Sequence, residues 1–154
     1  MPRSDQKTAL KNILSVLQFD NIPLNIYKKG VADVTSYPAI HIRSRGTIPN
    51  SPDRSSVSNN NYVRQYLYDI DIVVKMDLHE GTMIEPILDE LEDLILNQLQ
   101  RRTARGGVTF GQDWNDLIVD EITDPYAGVE IGYKSGTIVK TIPVRIDTIV
   151  KIED

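Results

Sequence analysis

Apolar positions along this chain switch between a helical and a strand-like period, and the switches divide it into elements. Leu10, Ile13, Leu14 and Leu17 recur at i, i+3, i+4 and i+7, the stripe of an amphipathic helix that Ser4 or Asp5 can cap. That helix is expected to end near Phe19-Asp20-Asn21. Ile22–Tyr27 alternates as a short strand, placed near an edge by Pro23, which has no N–H to give to a ladder. Lys28-Lys29-Gly30 turns the chain into Tyr37–Arg43, with Ile40 and Ile42 on one face and His41 and Arg43 on the other. The strongest strand signal of the first half is YVRQYLYDIDIVVKM. Its Tyr66, Tyr68, Ile70, Ile72, Val74 and Met76 share a face, and Asp69, Asp71 and Lys75 make the opposite face partly wet.

The second half begins with a capping box, Thr82-x-x-Glu85, ahead of a helix whose stripe is Ile84, Ile87, Leu88, Leu91, Leu94 and Ile95. Acidic residues from Glu85 to Asp93 crowd its N-terminal half and Arg101, Arg102 and Arg105 follow its end, an order that suits the helix dipole. Gly106-Gly107 and Gly111 break the pattern. Asn115–Thr123 and Tyr126–Tyr133 read as strands, the latter with Val129 and Ile131 facing together. Ser135-Gly136 turns into TIVKTIPVRIDTIVKIE, a long final strand in which Pro143 suggests a bulge or an edge. Strand runs broken by two helices and joined mostly by short turns imply a single α+β domain over residues 1–154. Its expected core is a largely antiparallel mixed sheet of about five to six strands, with two main helices packed on one face. Strands of ~15 residues exceed the usual ~5–6, so something outside a minimal core should cover their ends.

Composition narrows the chemistry. A chain of 154 residues with 40% apolar and 25% charged residues has the profile of one globular domain. A net charge of −5 argues against a protein built to neutralise phosphates, and the lack of Cys removes disulfides, thiolate metal sites and cysteine catalysis. No apolar run approaches the ~20 residues of a membrane span and no apolar leader follows Met1, so a soluble cytosolic product is expected. His41 and His79 have no Ser/His/Asp or metal-ligand spacing between them, and His41 reads as a solvated strand residue. Asp69 and Asp71 with Lys75 do not match the spacing of metal-dependent nucleases, and read as cross-strand charge pairs on a solvent-facing surface. The acidic helix lacks the ligand spacing of a calcium loop, and the glycine run lacks the Lys-Ser/Thr of a phosphate loop. No catalytic, cofactor or metal residue is assigned. An assembly component is the economical reading.

The order of an N-terminal helix, a strand leading through YPAIHI, a polar loop, YLYDIDIVVKM, the acidic helix MIEPILDELEDLILNQL and a terminal pair of strands resembles the tail terminator, or tail completion, proteins of long-tailed bacteriophages. The resemblance covers residues 5 to 153 in layout, without a short diagnostic motif. It implies a virion protein, not an enzyme, assembled in the host cytoplasm into a homo-oligomeric ring, typically a hexamer, at the head-proximal end of the tail. Such a ring stops polymerisation of the tail tube protein and gives the head-neck connector proteins a joining surface. DNA passes through its channel without specific binding, in keeping with an acidic chain. The alternatives are a neck or head-completion connector of like architecture, and a small enzyme or ligand-binding domain with Asp69, Asp71, His79 and the acidic helix lining a pocket.

Between the strand candidates lies SRGTIPNSPDRSSVSNNN, residues 44–61, a polar excursion far longer than an ordinary connection. In an isolated subunit it is expected to be mobile; within a ring it is a candidate for the segment that orders against a neighbour or the tube end, the alternative being a surface loop with no partner. Its Arg45, Ile48, Arg54 and Val57, with Arg101, Arg102 and Arg105, are the candidate assembly contacts.

Overall fold

The computed structural model describes residues 3–28, 38–49, 61–76, 81–103 and 114–151. Helix α1 (Arg3–Leu14) leads into a hairpin of β1 (Gln18–Phe19) and β2 (Ile22–Pro23). The helix is shorter than expected because Asp20 and Asn21 both take positive φ, 52° and 63°, as a two-residue hairpin turn of the primed type demands. Leu10, Ile13 and Leu14 are buried, and Leu17 packs on the core from beyond the helix end.

Strands β3 (Asn25–Tyr27), β4 (Ala39–Ile48), β5 (Asn61–Lys75), β6 (Trp114–Val119), β7 (Tyr126–Ala127) and β8 (Thr137–Lys151) form a six-stranded mixed sheet. The order is β3-β4-β5-β8-β6, with β7 also paired to β8. β3 runs parallel to β4 and the other pairings are antiparallel. β3 occupies the edge foreseen from Pro23, although Pro23 itself belongs to β2. The expected single strand over 22–27 is thus two.

β4 extends to Ile48, so the first five residues of the supposed loop are strand, and Asn61 already belongs to β5. Pro49 follows as a bend, and 50–60 lies outside the described residues. Between Ser44 and Gly46 the register shifts, leaving Arg45 as the extra residue of a β-bulge. Beyond it Ile48 stands opposite Gln65, off the face that carries Ile40 and Ile42.

Between β5 and β8 the ladder is unbroken over fifteen residue pairs. Pro143 makes neither a bulge there nor an edge. Its carbonyl accepts the Asp120 N–H at 2.9 Å on the side where β6 ends at Val119 and before β7 begins, so the missing N–H falls at a gap between partners.

Helix α2 (Gly81–Thr103) starts one residue ahead of the expected cap Thr82 and buries Ile84, Ile87, Leu88, Leu91, Ile95 and Leu99. Leu94 is only half-buried; Leu99 carries the stripe on instead. These residues and those of α1 join Ile40, Ile42, Tyr68, Ile70, Ile72, Val74, Ile142, Val144, Ile146 and Leu117 in one core. By strand alternation the β5 members lie on a single face, as the sequence pattern required. Met76 is the exception, 46% exposed just past the strand end. Two polar links fix α1. The hydroxyl of Tyr68 donates to Gln6, which is fully buried and donates to Thr148 Oγ1 at 3.4 Å. Gln98 on α2 donates to the Ile13 carbonyl at 3.1 Å, serving an acceptor that the end of α1 leaves open.

The segment read as a strand over 126–133 is mostly something else. β7 is two residues long, and Gly128–Ile131 form a short helix, α3, with Val129 exposed. Gly132 closes it at φ 93°, and Tyr133 N–H donates to the Gly128 carbonyl at 2.9 Å. Gly128 is required by close approach: a Cβ there would stand 1.8 Å from Thr137 Oγ1 and 3.1 Å from the Lys134 carbonyl. This compact turn carries Ile131 and Tyr133 onto Val73 and Val139, a second small core on the sheet face away from the main one.

Candidate functional site

That second face holds the charged residues singled out from the sequence, and it is not wet. Asp71 is fully buried, with Arg43, Thr141 and Tyr133 around its carboxylate. The Tyr133 hydroxyl donates to Oδ2 at 2.6 Å, Thr141 Oγ1 donates to Oδ1 at 2.7 Å, and the Arg43 guanidinium bonds both oxygens. The Asp71 hydrogen bond raises the pKa of Arg43, with burial working against it and the charges of Asp71 and Asp69 adding to it.

Asp69, directly opposite Arg43 in register, accepts from Arg43 Nη2 at 3.2 Å and pairs with Arg45 Nε at 3.1 Å. Arg45 reaches on to Asp120 at 3.6 Å. Burial pushes the Asp69 carboxyl above its ordinary pKa, against the opposing pull of Arg43 and Arg45. The cross-strand charge pairing read from the sequence is present, but around two buried carboxylates rather than on open surface.

His41, expected to be solvated, is fully buried: Tyr27 stacks on it at 4.9 Å and Tyr133 meets it edge-on at 5.0 Å. The α3 turn brings Tyr133 over a strand face that the sequence pattern left open. An ion pair with Arg43 and the hydroxyls of Tyr133 and Thr141 converge on Asp71, so this carboxylate acts as an anchor for strands β4, β5 and β8 and for the α3 turn. Asp69 and Asp71 are on the sheet face opposite the one packed against α2, so they do not share a pocket with its acidic residues. His79 lies outside the described residues.

The described chain does have a concavity beside α2, with a volume of about 490 Å³. Its apolar wall is Met76, Ile84, Leu88, Pro125 and Ile138, and its charged residues are Glu85, Asp89, Asp124 and Lys140. Lys140 bonds Glu92 at 2.9 Å and Asp89 at 3.3 Å. Burial alone would lower the Lys140 pKa, but those hydrogen bonds outweigh it and hold it raised. Glu85 and Asp124 are exposed and form no ion pair among the described residues.

Of the candidate assembly contacts, Arg45 is committed within the subunit, while Ile48 is 37% exposed at the end of β4. Arg101 and Arg102 fall in the last turn of α2. Arg54, Val57 and Arg105 lie outside the described residues. Sequence reasoning missed Tyr133, Thr141 and Gln6 as polar anchors, because their partners are far away along the chain and no local period marks them. Among the described residues no cluster of His, Asp or Glu is placed to hold a metal ion, and no described helix is long and apolar enough to cross a membrane.

Fold and site together define an α+β domain with a helix-covered core face, a second face closed by a charge network, and an acid-rimmed groove beside its longest helix. Comparison with models of known protein families gives no match, and comparison with curated proteins gives no significant match.

Proposed function

We propose that this chain is a structural subunit of a homo-oligomeric ring that caps the head-proximal end of a phage tail tube, halts its polymerisation and receives the neck. The observation that carries the reading is the β5–β8 ladder. Among the described residues it runs past the last paired residue of β4, Ile48 opposite Gln65, and past that of β6, Trp114 opposite Thr148. Strands this long call for partners along both sides of their ends, and a neighbouring subunit is an economical one. Among the described residues the sheet is also open, ending on β3 at one side and β6 at the other, two unlike edges that suit a head-to-tail contact closing on itself. The acidic balance suits a channel past which DNA slides.

The test is to image tails assembled with and without this protein. Tubes of uncontrolled length in its absence are expected. Tubes of normal length that fail to join heads would replace the terminator reading with that of a neck connector, and normal tails in every respect would overturn both.

A further inference from the structure

The groove beside α2 is a cation-seeking surface, and the chain itself carries the complement. Its volume of about 490 Å³ falls in the range of ~300–1,000 Å³ typical of binding pockets. The wall is apolar and the rim is acidic, while the one cation among its described lining residues, Lys140, is already held by Glu92 and Asp89. Glu85 and Asp124 thus remain as exposed negative charges above Met76, Ile84, Leu88 and Ile138. Such a site suits arginine: the aliphatic stem covers apolar wall and the guanidinium reaches the carboxylates.

Arg101 and Arg102 fall in the last turn of the same helix, and Arg105 follows them in the sequence. At a rise of ~1.5 Å per residue, the helix separates Glu85 from Arg101 by roughly 24 Å. A rigid helix cannot fold back to fill its own groove. We propose that the groove of one subunit receives the arginine-bearing end of α2 from a second copy of this chain.

The contact joins unlike surfaces, so it is head-to-tail and propagates into a ring or a filament rather than stopping at a two-fold dimer. It deepens the ring reading by naming a pair of surfaces that would meet, and it rests on that reading only for closure.

Charge exchange tests it on the full chain. One variant carries Glu85→Arg with Asp124→Arg; the other carries Arg101→Glu with Arg102→Glu. Sedimentation velocity is expected to show oligomers for the unmodified chain and their loss in each variant alone. Mixing the two variants should restore them, because each then presents the groove or helix end that the other needs; this recovery also shows that both are folded. The milder Glu85→Gln with Asp124→Asn should weaken assembly by about tenfold or more, and rising salt should weaken the unmodified oligomer in the same direction.

Oligomers unchanged in both charge-reversed variants would overturn the docking and leave the ring reading standing. Open filaments that depend on both surfaces would support the docking and overturn the closed ring. Variants that lose assembly and are not rescued on mixing, while the unmodified groove binds an unrelated oligo-arginine peptide, would assign the groove to another basic partner and overturn the second copy as its occupant. A chain that stays monomeric at all concentrations would overturn the docking as well.

Discussion

At the scale of the residue, the decisive group is Asp71. Its neighbours in sequence, Ile70 and Ile72, face the main core, so alternation sends the carboxylate to the other face, where it is fully buried. A carboxylate taken out of water is tolerable only with strong partners, and Arg43, Tyr133 and Thr141 supply them. Asp71→Ala is expected to cost about 3 kcal/mol in urea unfolding, because the half-buried Arg43 loses its counter-charge. Tyr133→Phe, which removes one donor, should cost about 1 kcal/mol. A loss no greater for Asp71→Ala than for Tyr133→Phe would contradict the anchoring role.

Asp69 behaves differently. Its folded pKa lies above the ordinary carboxylate value, so the folded chain takes up this proton at a higher pH than the unfolded chain does. As pH falls through the window between the raised and the ordinary value, the site gains stability. Carbonyl-carbon NMR should place its titration midpoint above ~3.9. The stability advantage of the unmodified chain over Asp69→Asn should be larger at pH 4 than at pH 7. A constant or shrinking advantage on acidification would refute the direction of the shift.

At the scale of the element, the sheet is organised around β5 and β8. These two strands share the longest ladder and contribute most of the strand residues of the core, whereas β3 adds three residues at an edge. Amides of β5 and β8 that are paired between Tyr66 and Val74 should therefore exchange with solvent only through global unfolding, and those of β3 and the β1–β2 hairpin through local opening. Hydrogen exchange read by NMR or mass spectrometry checks this; β5 amides exchanging as fast as those of β3 would contradict it. The long strands, the two main helices and their buried stripes were legible because each is a sustained local period. The hairpin at Asp20-Asn21 and the α3 turn were not. Both are set by a few residues in left-handed backbone or at close approach, which leave no periodic trace.

At the scale of the whole molecule, the two sheet faces have different tasks. One packs on α1 and α2, and the other is closed by Tyr133, His41 and the charge network, so among the described residues the open apolar surface is the groove beside α2. If the ring reading holds, tail length and charge-exchanged assembly should respond separately. Removing the protein is expected to lengthen tubes, while reversing either groove or helix-end charge is expected to abolish assembly that mixing restores.

By itself the sequence determined the class of the fold, the identity of the core stripes and the pairing of opposite charges across β4 and β5, because local period and alternation carry that information. Only the tertiary structure decided what those charges are for. Whether Asp71 and His41 meet water depends on a turn that arrives from more than sixty residues later along the chain, and no periodicity near Asp71 can announce a hydroxyl that distance away. The same holds for residues 44–48. Read alone they were polar and loop-like, yet pairing with β5 made them strand and committed Arg45 to Asp69 and Asp120.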